Sequence, residues 1–463
     1  MISINPIIPK SGFLTDNNII LATDFYELTM SAGYFQYNLE NSIDDQNDIS
    51  TFEIFVRKLP RNRNYLIFAG LEQVIHYLKN ARFNERTIEY FRSREDFNNI
   101  NPKFFDEYLP NFKFDLDVWS IPEGQFFFPN EPIMRIEGPT IQAQLAETYI
   151  LNVITYQTAV ASKASRIRNV SGNRIILDFG TRRSHSPLAG IYAARASYIA
   201  GFNGTSNCVA DLELGIKASG TMAHSWVQRF PTELESFKAF YKIYGKNSIL
   251  LIDTYDIKKG TLNACKTAKD IKGVRIDSGD LAENSKIVRK ILDENGLKNA
   301  IITLSSDLNE HKIKDLIEKG APADAFGVGT EMVTSRDDPV VNSVYKLIQH
   351  NGIPKIKISE GKITYPGKKQ VYRVYDENGK FTKDILMLKN ETSPEETEPI
   401  MIPIMKKGKL IYELPALDEI QQFYFKNMEK LPEEYKKLEQ LNLFRLKLSN
   451  GIKELTQKLK NQY

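Results

Sequence analysis

Clusters of charged and small polar residues follow five apolar runs in the middle of the sequence. The clusters occupy residues 178–183, 253–256, 277–280, 305–307 and 327–330. Each apolar run is about five residues long, the length of a strand that is buried on both faces. In a parallel α/β barrel, functional residues collect where the strands end. The repetition therefore predicts one polar site that is built from the ends of several strands.

Residues that can bind anions occur in two of these clusters and just before a third. The turn Gly327-Val328-Gly329-Thr330 offers main-chain N–H groups and a hydroxyl, which together can hold a phosphate. Arg182, Arg183 and Arg275 add guanidinium groups that can grip a phosphate or a carboxylate. The ordinary alternatives are a tight turn for the glycines and surface positions for the arginines. If these groups share one site, they favour a phosphorylated sugar as the ligand.

Three carboxylates and one histidine could act on such a ligand. Asp253, Asp277 and Asp280 could hold Mg²⁺ together with substrate phosphates, or they could form a buried ion network with the arginines. His224 is one of five histidines and follows a run of small residues. A lone histidine is more often structural, but imidazole can also serve as a base or as a nucleophile towards phosphorus. Asp253 is the predicted carboxylate partner that would fix its tautomer.

The elements that position these residues fall into three predicted regions. Residues 1–140 form a mixed α/β region, residues 141–345 a catalytic α/β barrel, and residues 346–463 a strand-containing segment with a helical tail that packs on the first region. Apolar spacings of three and four predict helices from Gln142 onward, over residues 188–200 and over residues 283–293. The same spacing predicts helix at residues 435–441 and 452–459 in the tail.

Composition argues against several classes of protein. The net charge is +3, from 61 basic and 58 acidic residues, so no overall field favours nucleic acid or a membrane. No window approaches the roughly eighteen apolar residues of a membrane span, and no signal peptide opens the chain. Cys208 and Cys265 are too few for a disulfide framework or a cysteine-based zinc site. We therefore expect a cytoplasmic protein.

Six motifs, in order, resemble those of nicotinate phosphoribosyltransferases, and together they are far more specific than any one alone. They are Thr23-Asp24-Phe25-Tyr26, Asp178-Phe179-Gly180-Thr181-Arg182-Arg183, Gly204-Thr205-Ser206-Asn207, Gly220-Thr221-Met222-Ala223-His224-Ser225, Asp277-Ser278-Gly279-Asp280-Leu281 and Gly327-Val328-Gly329-Thr330. The resemblance runs from about residue 21 to residue 347. The motif Pro366-Gly367-Lys368-Lys369-Gln370-Val371-Tyr372-Arg373 extends it into the C-terminal region.

The resemblance implies an α/β fold, with an irregular TIM-like α/β barrel beside a second α/β domain formed by the N- and C-terminal regions. It implies a homodimer in which the partner subunit completes each active site. The implied reaction joins nicotinate to phosphoribosyl pyrophosphate and gives nicotinate mononucleotide and pyrophosphate for NAD biosynthesis. ATP is the implied co-substrate of this ligase, hydrolysed through a phosphohistidine. Mg²⁺ is expected to bind through the substrate and Asp277 rather than in a protein cage.

The resemblance also implies roles for individual residues. His224 is the residue expected to be phosphorylated, Asp253 its orienting carboxylate, and Asp277 the carboxylate near the reacting sugar. The residues expected around nicotinate and ribose are Phe179, Arg182, Thr221, Arg275 and Ser206, together with Tyr26 supplied by the other subunit. The residues expected to bind phosphate are Gly327, Gly329, Thr330 and Gly279.

Ser206 bears on which base is used. Relatives that use nicotinamide carry Asp after the Gly-Thr pair, which suits an amide N–H, whereas a facing carboxylate would repel the nicotinate anion. Two alternatives stay open: a non-catalytic relative that binds a nucleotide, and an unrelated barrel enzyme with a catalytic lysine. Lys217 is the nearest candidate for that lysine. No structural zinc is expected, because the C-terminal region has no cysteine cluster.

Overall fold

The computed structural model describes residues 14–358, 364–393 and 397–462. The first and third predicted regions therefore extend in part beyond the described residues. The helices are α1 (Phe25–Glu40), α2 (Leu71–Asn80), α3 (Glu85–Arg92), α4 (Thr140–Leu145), α5 (Glu147–Ser171), α6 (Pro187–Ile199), α7 (Cys208–Leu214), α8 (His224–Gln228), α9 (Glu233–Tyr244), α10 (Ile257–Thr267), α11 (Leu281–Glu294), α12 (Glu310–Glu318), α13 (Thr330–Val333), α14 (Leu417–Lys430) and α15 (Asn450–Lys460).

The strands are numbered in the same way, from the N-terminus. They are β1 (Ile49–Val56), β2 (Leu66–Ile67), β3 (Asp117–Ser120), β4 (Phe126–Phe127), β5 (Met134–Pro139), β6 (Ile175–Asp178), β7 (Gly204–Thr205), β8 (Ile249–Leu251), β9 (Gly273–Ile276), β10 (Ile301–Ser305), β11 (Ala325–Val328), β12 (Ser343–His350), β13 (Ile353–Pro354), β14 (Lys369–Tyr375), β15 (Phe381–Leu388), β16 (Thr397–Pro399), β17 (Ile402–Lys406), β18 (Lys409–Leu410) and β19 (Leu446–Leu448).

A parallel sheet holds the five polar clusters, with strand order β7-β6-β11-β10-β9-β8. Its central strand β11 is buried at every position, and β10 at all but its first, as expected for strands covered by helices on both faces. A bridge between Thr205 and Ala218 extends the β7 edge. The α/β class is thus confirmed. The strand pairs of the described residues do not join β8 to β7, so closure into a barrel stays a prediction.

A second, antiparallel sheet combines strands from both ends of the chain, in the order β13-β12-β1-β5-β3-β17-β18. A smaller sheet, β16-β14-β15-β19, belongs to the C-terminal region alone. The core beside the antiparallel sheet contains many aromatic side chains. Strand β12 runs across residue 345, where one region boundary was predicted, and the three predicted regions stay predictions.

Several polar residues after the parallel strands begin helices instead of entering the site. The Asp280 carboxylate accepts the N–H groups of Ala282 and Glu283 at 3.0 and 3.1 Å. Asn309 caps α12, and Asp256 caps α10, through the same kind of bond. Asp280 therefore starts α11, so it is not one of the carboxylates that face a ligand.

The helices predicted from apolar spacing are confirmed in the region of the parallel sheet. The segment from Gln142 forms α4 and α5 with a break at Ala146, and α6 and α11 match the other two. In the tail, the helix predicted at residues 452–459 is confirmed as α15, whereas the one predicted at residues 435–441 is wrong. Only one 3-10 turn forms there, over Glu433–Lys436, and Asn64 donates to the carbonyls of Tyr435, Lys437 and Glu439. Across the described residues, no helix is long and apolar enough to cross a membrane.

Candidate active site

A cavity of about 670 Å³ opens at the carboxyl ends of the parallel strands. Among the residues that line it are nine predicted site residues: Phe179, Arg182, Ser206, Thr221, Arg275, Asp277, Gly327, Gly329 and Thr330. These residues come from the ends of β6, β7, β9 and β11, or the turns that follow them, and from the segment before α8, so the site exists only in the folded chain. The lining carries three arginines and two aspartates, which favours an anionic ligand.

The Phe179 ring and the glycine turn fit against each other. A Cβ atom at Gly327 would lie 2.3 Å from the Phe179 ring, and one at Gly329 would lie 3.3 Å from the Phe179 carbonyl oxygen. The Phe179 N–H donates to the Val328 carbonyl at 2.8 Å, which joins the ends of β6 and β11. Glycine is therefore needed at residue 327 to seat the ring, in addition to any contact with a phosphate.

The buried carboxylate of Asp178 holds the turn that carries Phe179. It accepts the hydroxyl of Thr205 and the main-chain N–H of Gly180, each at 2.7 Å. Burial raises the pKa of Asp178 to about 6, and these two hydrogen bonds act against the rise. The neighbouring Ser206 hydroxyl lies 3.4 Å from that of Thr181 and presents a neutral group to the cavity.

Arg275 points a partly unpaired guanidinium at the cavity. Burial lowers its pKa, Arg182 adds to that effect, and the carboxylates of Asp277 and Asp253 oppose it. Its Nε atom is buried and has no hydrogen-bond partner among the described residues. Such an unpaired donor is costly in a protein interior, and an anionic ligand would satisfy it.

Asp277 lies at the centre of a short chain of polar contacts. Its Oδ1 atom accepts the Ser305 hydroxyl at 2.5 Å, and its main-chain N–H donates to Asp253 Oδ2 at 2.9 Å. Asp253 Oδ2 also accepts the Ser278 hydroxyl at 2.5 Å. Asp253 thus supports the Asp277 loop from behind, and neither Asp253 nor the adjacent Gly279 lines the cavity.

His224 borders this cluster as the first residue of α8. Its Nδ1 atom lies 3.0 Å from the Thr254 hydroxyl, and its Nε2 atom lies 4.0 Å from Asp277 Oδ2. The predicted pairing of His224 with Asp253 is therefore wrong in this structure. The physical reason is that Asp253 already accepts two hydrogen bonds from the next strand end, while the hydroxyl one residue further faces the imidazole.

Tyr26 lies in a different cavity, of about 410 Å³, with Glu147, Asn152 and Tyr156. Its side chain is 47% exposed, so within one chain it is not brought to Phe179. The next residue, Glu27, is buried and accepts a hydrogen bond from Gln144, which also donates to Glu147. Burial raises the pKa of Glu27 to about 7.

Three family models match the sequence along most of its length. They describe the nicotinate phosphoribosyltransferase (NAPRTase) N-terminal domain at residues 21–155, the nicotinate phosphoribosyltransferase family at 175–378, and the nicotinate phosphoribosyltransferase C-terminal domain at 368–402 and 392–456. The chain belongs to the nicotinate phosphoribosyltransferase family.

Relatives in the nicotinate phosphoribosyltransferase family align over nearly the whole chain. One from Mycobacterium tuberculosis is 40% identical over 426 residues, covering 90% of this chain and 89% of the relative. One from Bacillus subtilis is 37% identical over 458 residues, covering 91% of each. The crystal structure of human nicotinic acid phosphoribosyltransferase has the same fold, with a TM-score of 0.83 at 24% identity over 94% of this chain and 99% of that chain.

Several residues in or beside the cavity were not assigned a role from the sequence. Ser305 bonds Asp277, Thr254 contacts His224, and Ser306 and Asp307 line the cavity. Ser306 and Asp307 have φ values of 120° and 39°, a left-handed backbone that is unusual outside glycine. The polar cluster after β10 pointed to this position, but only the folded turn shows which groups face the cavity.

Proposed function

We propose that the protein is a nicotinate phosphoribosyltransferase, which joins nicotinate to phosphoribosyl pyrophosphate and releases pyrophosphate. The single observation that carries the proposal is the shared cavity: an aromatic face, guanidinium groups, a carboxylate and a glycine turn all open into it. These groups match the parts of the two substrates, a flat anionic ring and a phosphorylated sugar. Nicotinate is favoured over nicotinamide because neutral Ser206 stands where a carboxylate would repel the anion.

Each substrate part has a matching group in the cavity. The Phe179 ring would stack on nicotinate, and Arg182 and Arg275 would bind its carboxylate and align the ring nitrogen with the anomeric carbon. As the bond to pyrophosphate breaks, the sugar gains positive charge, which the nearby Asp277 carboxylate would stabilise. The turn from Gly327 to Thr330 would hold the 5′-phosphate through N–H groups and a hydroxyl.

The residues present fit Mg²⁺ that is bound mainly by the substrate. Among the described residues, no cluster of three or more His, Cys, Asp or Glu side chains could hold a metal ion. Asp277 faces the cavity, whereas Asp253 supports it from outside the lining. The Asp277 carboxylate would complete the coordination of Mg²⁺, whose charge would stabilise the leaving pyrophosphate.

His224 is proposed to couple ATP hydrolysis to the reaction. The Thr254 contact occupies Nδ1 and leaves Nε2 free to attack the γ-phosphorus of ATP, forming an N–P bond as the bond to ADP breaks. The phosphoryl group would add about two negative charges close to Asp277. This charge would change the affinities for phosphoribosyl pyrophosphate and pyrophosphate, and hydrolysis of the N–P bond would reset the site.

A homodimer with shared sites is the proposed assembly. The support is that Tyr26 is half exposed and lies in a cavity apart from Phe179. A partner subunit could place its Tyr26 on the open face of nicotinate, so that two aromatic rings enclose the substrate. Measurement of the mass in solution, together with activity recovered by mixing Tyr26→Ala and Phe179→Ala variants, would test this arrangement.

The reaction itself is tested with isotope-labelled nicotinate and phosphoribosyl pyrophosphate. We expect labelled nicotinate mononucleotide and an equal amount of pyrophosphate, with little product when nicotinamide replaces nicotinate. Tight binding of the mononucleotide without turnover would instead support a non-catalytic member of the family. A preference for nicotinamide would overturn the role given to Ser206.

The coupling to ATP is tested separately with His224→Ala. We expect the variant to lose the stimulation of product yield by ATP, since the phosphoryl acceptor is gone. His311→Ala is the matched control: neither histidine is in the cavity lining, but His224 lies beside Asp277, whereas His311 is exposed on α12. Unchanged stimulation in His224→Ala would remove this residue from the mechanism while leaving the transferase reaction itself intact.

A further inference from the structure

A buried group of charged residues lies behind the cavity and outside its lining: Arg63, Lys163, Arg166, Glu310 and Asp337. Lys163 on α5 is central, because its Nζ atom lies 2.7 Å from Glu310 Oε2 and 3.0 Å from Asp337 Oδ1. The Lys163 side chain is 2% exposed and that of Glu310 is fully buried. One ammonium group thus bridges a fully buried carboxylate, that of Glu310, and a partly exposed one, that of Asp337.

The two carboxylates belong to the two segments that border the phosphate end of the cavity. Glu310 begins α12 directly after the turn at residues 305–307, which lines the cavity. Asp337 lies in the turn after α13, and α13 begins at Thr330, the last residue of the glycine turn. Lys163 therefore links the segment that follows β10 to the segment that follows β11, through one ion pair to each.

Both segments contain backbone conformations that need support. Ser306 and Asp307 have φ values of 120° and 39°, and Ser335 in the second turn has 41°. Such backbone conformations cost free energy and persist only where contacts with the surrounding structure stabilise them. Arg63 assists, because it donates to both carboxylate oxygens of Asp337 at 2.7 and 3.1 Å and to the Ser335 hydroxyl at 3.1 Å.

We propose that Lys163 is a positioning residue that sets the distance between these two segments and so the width of the phosphosugar end of the site. It acts through Glu310 and Asp337 and does not touch the substrate. Without the ammonium group, Glu310 would keep its ion pair with Arg166 and Asp337 its pair with Arg63, but the two carboxylates would lose the partner that they share, and the gap between them would widen. This inference rests on the proposed function, because it assigns a substrate to that end of the cavity.

The test is Lys163→Met, which removes the charge and retains most of the volume. Misplacement of substrate by about 1 Å can cost up to about 100-fold in rate, so we expect KM for phosphoribosyl pyrophosphate to rise about tenfold or more. KM for nicotinate should change by less than about threefold, since Phe179 and Arg275 lie on other strand ends. Lys163→Arg should restore much of the affinity, because it keeps the charge.

Lys369→Met is the matched control in the antiparallel sheet. Lys369 Nζ lies 2.7 Å from Glu53 Oε2, and the pair is as buried as that of Lys163 with Glu310. We expect this variant to melt at a lower temperature but to keep both KM values when it is assayed below its melting point. If Lys163→Met also loses only thermal stability and keeps both KM values, the positioning role is overturned.

Two further measurements keep the outcome decisive. If Lys163→Met does not fold, Asp337→Asn is used, since it leaves the ion pair of Lys163 with Glu310 in place and should raise the same KM. If the wild-type protein shows no transferase activity, the proposed function fails on its own. Calorimetry with inorganic pyrophosphate and ribose 5-phosphate then tests the positioning role, which predicts weaker binding to the Lys163 variant and is overturned by equal binding.

Discussion

The parallel sheet and the antiparallel sheet use buried charge in different ways. In the antiparallel sheet, Lys369 pairs with Glu53 and donates to the carbonyls of Tyr365 and Gly367, so its hydrogen bonds are satisfied within the protein. At the edge of the parallel sheet, Arg275 lines the cavity, and its buried Nε atom has no hydrogen-bond partner within the described part of the chain. We infer that the contacts of Lys369 stabilise the fold, whereas Arg275 has all its hydrogen bonds only when a ligand is bound.

The apolar cores of the two regions differ in their aromatic content. Both are built mostly from Ile, Leu, Val and Ala, but aromatic rings are more numerous beside the antiparallel sheet. There, the Phe83 ring contacts those of Phe91 and Phe112 at centroid distances of 6.0 and 5.1 Å. The core beside the antiparallel sheet therefore contains more large rings, whereas the parallel strands end at a cavity.

The largest expected effect is a loss of kcat at Asp277, which distinguishes charge at the cavity from charge that stabilises the antiparallel sheet. Asp277→Asn should lower kcat by about 100-fold to 1000-fold, because it removes charge opposite the developing positive sugar. Glu53→Gln should lower the melting temperature and leave kcat unchanged below melting, because it leaves Lys369 without its carboxylate. Steady-state kinetics and thermal melts measure both. A full kcat in Asp277→Asn would break the comparison.

An effect of intermediate size is expected from one glycine substitution in each of the two sheets. A Cβ atom would lie 2.3 Å from the Phe179 ring at Gly327 and 2.6 Å from Leu116 Cδ2 at Gly138 in β5. Alanine at either position should cost about 1–3 kcal/mol of stability through overpacking. Only Gly327→Ala should also raise KM for nicotinate, by about tenfold, because it displaces the ring. Equal KM values in the two variants would contradict the stacking role of Phe179.

The smallest effect is a pH dependence of stability at Glu27, outside the parallel sheet. Burial raises its pKa from 4.5 to about 7, so between these values the unfolded chain loses a proton that the folded chain retains. This contribution to the free energy of unfolding therefore falls as pH rises from about 4.5 to 7 and then stays constant. Gln cannot ionise, so the melting temperature of Glu27→Gln should rise relative to wild type over that range. Melting curves that stay parallel at all pH values would contradict a buried neutral carboxyl.

Much of the parallel sheet and of its cavity could be predicted from sequence. Short runs such as Ile301-Ile302-Thr303-Leu304 read as buried strands, and the polar residues behind them line one cavity because parallel strands end at the same edge. Sequence could not tell which of those residues cap helices. Asp277 and Asp280 belong to one motif, yet Asp277 faces the cavity and Asp280 starts α11.

Contacts between distant segments decided the remainder. The partner of His224 is Thr254 rather than Asp253, because Asp253 already accepts two hydrogen bonds from the next strand end. Residues 435–441 do not form the α-helix that their spacing suits, and the Asn64 amide instead bonds three of their carbonyls. Neither contact leaves a periodic signal in the sequence.

The sequence by itself determined the α/β class, the strand ends that carry chemistry and the family to which the chain belongs. These follow from local patterns, because hydrophobic period and motif order are properties of neighbouring residues. Only the tertiary structure decided that Lys163 joins Glu310 to Asp337 and that Tyr26 lies apart from Phe179. The physical reason is that ion pairs and cavities depend on distances between residues far apart in the chain, which packing of the whole molecule sets.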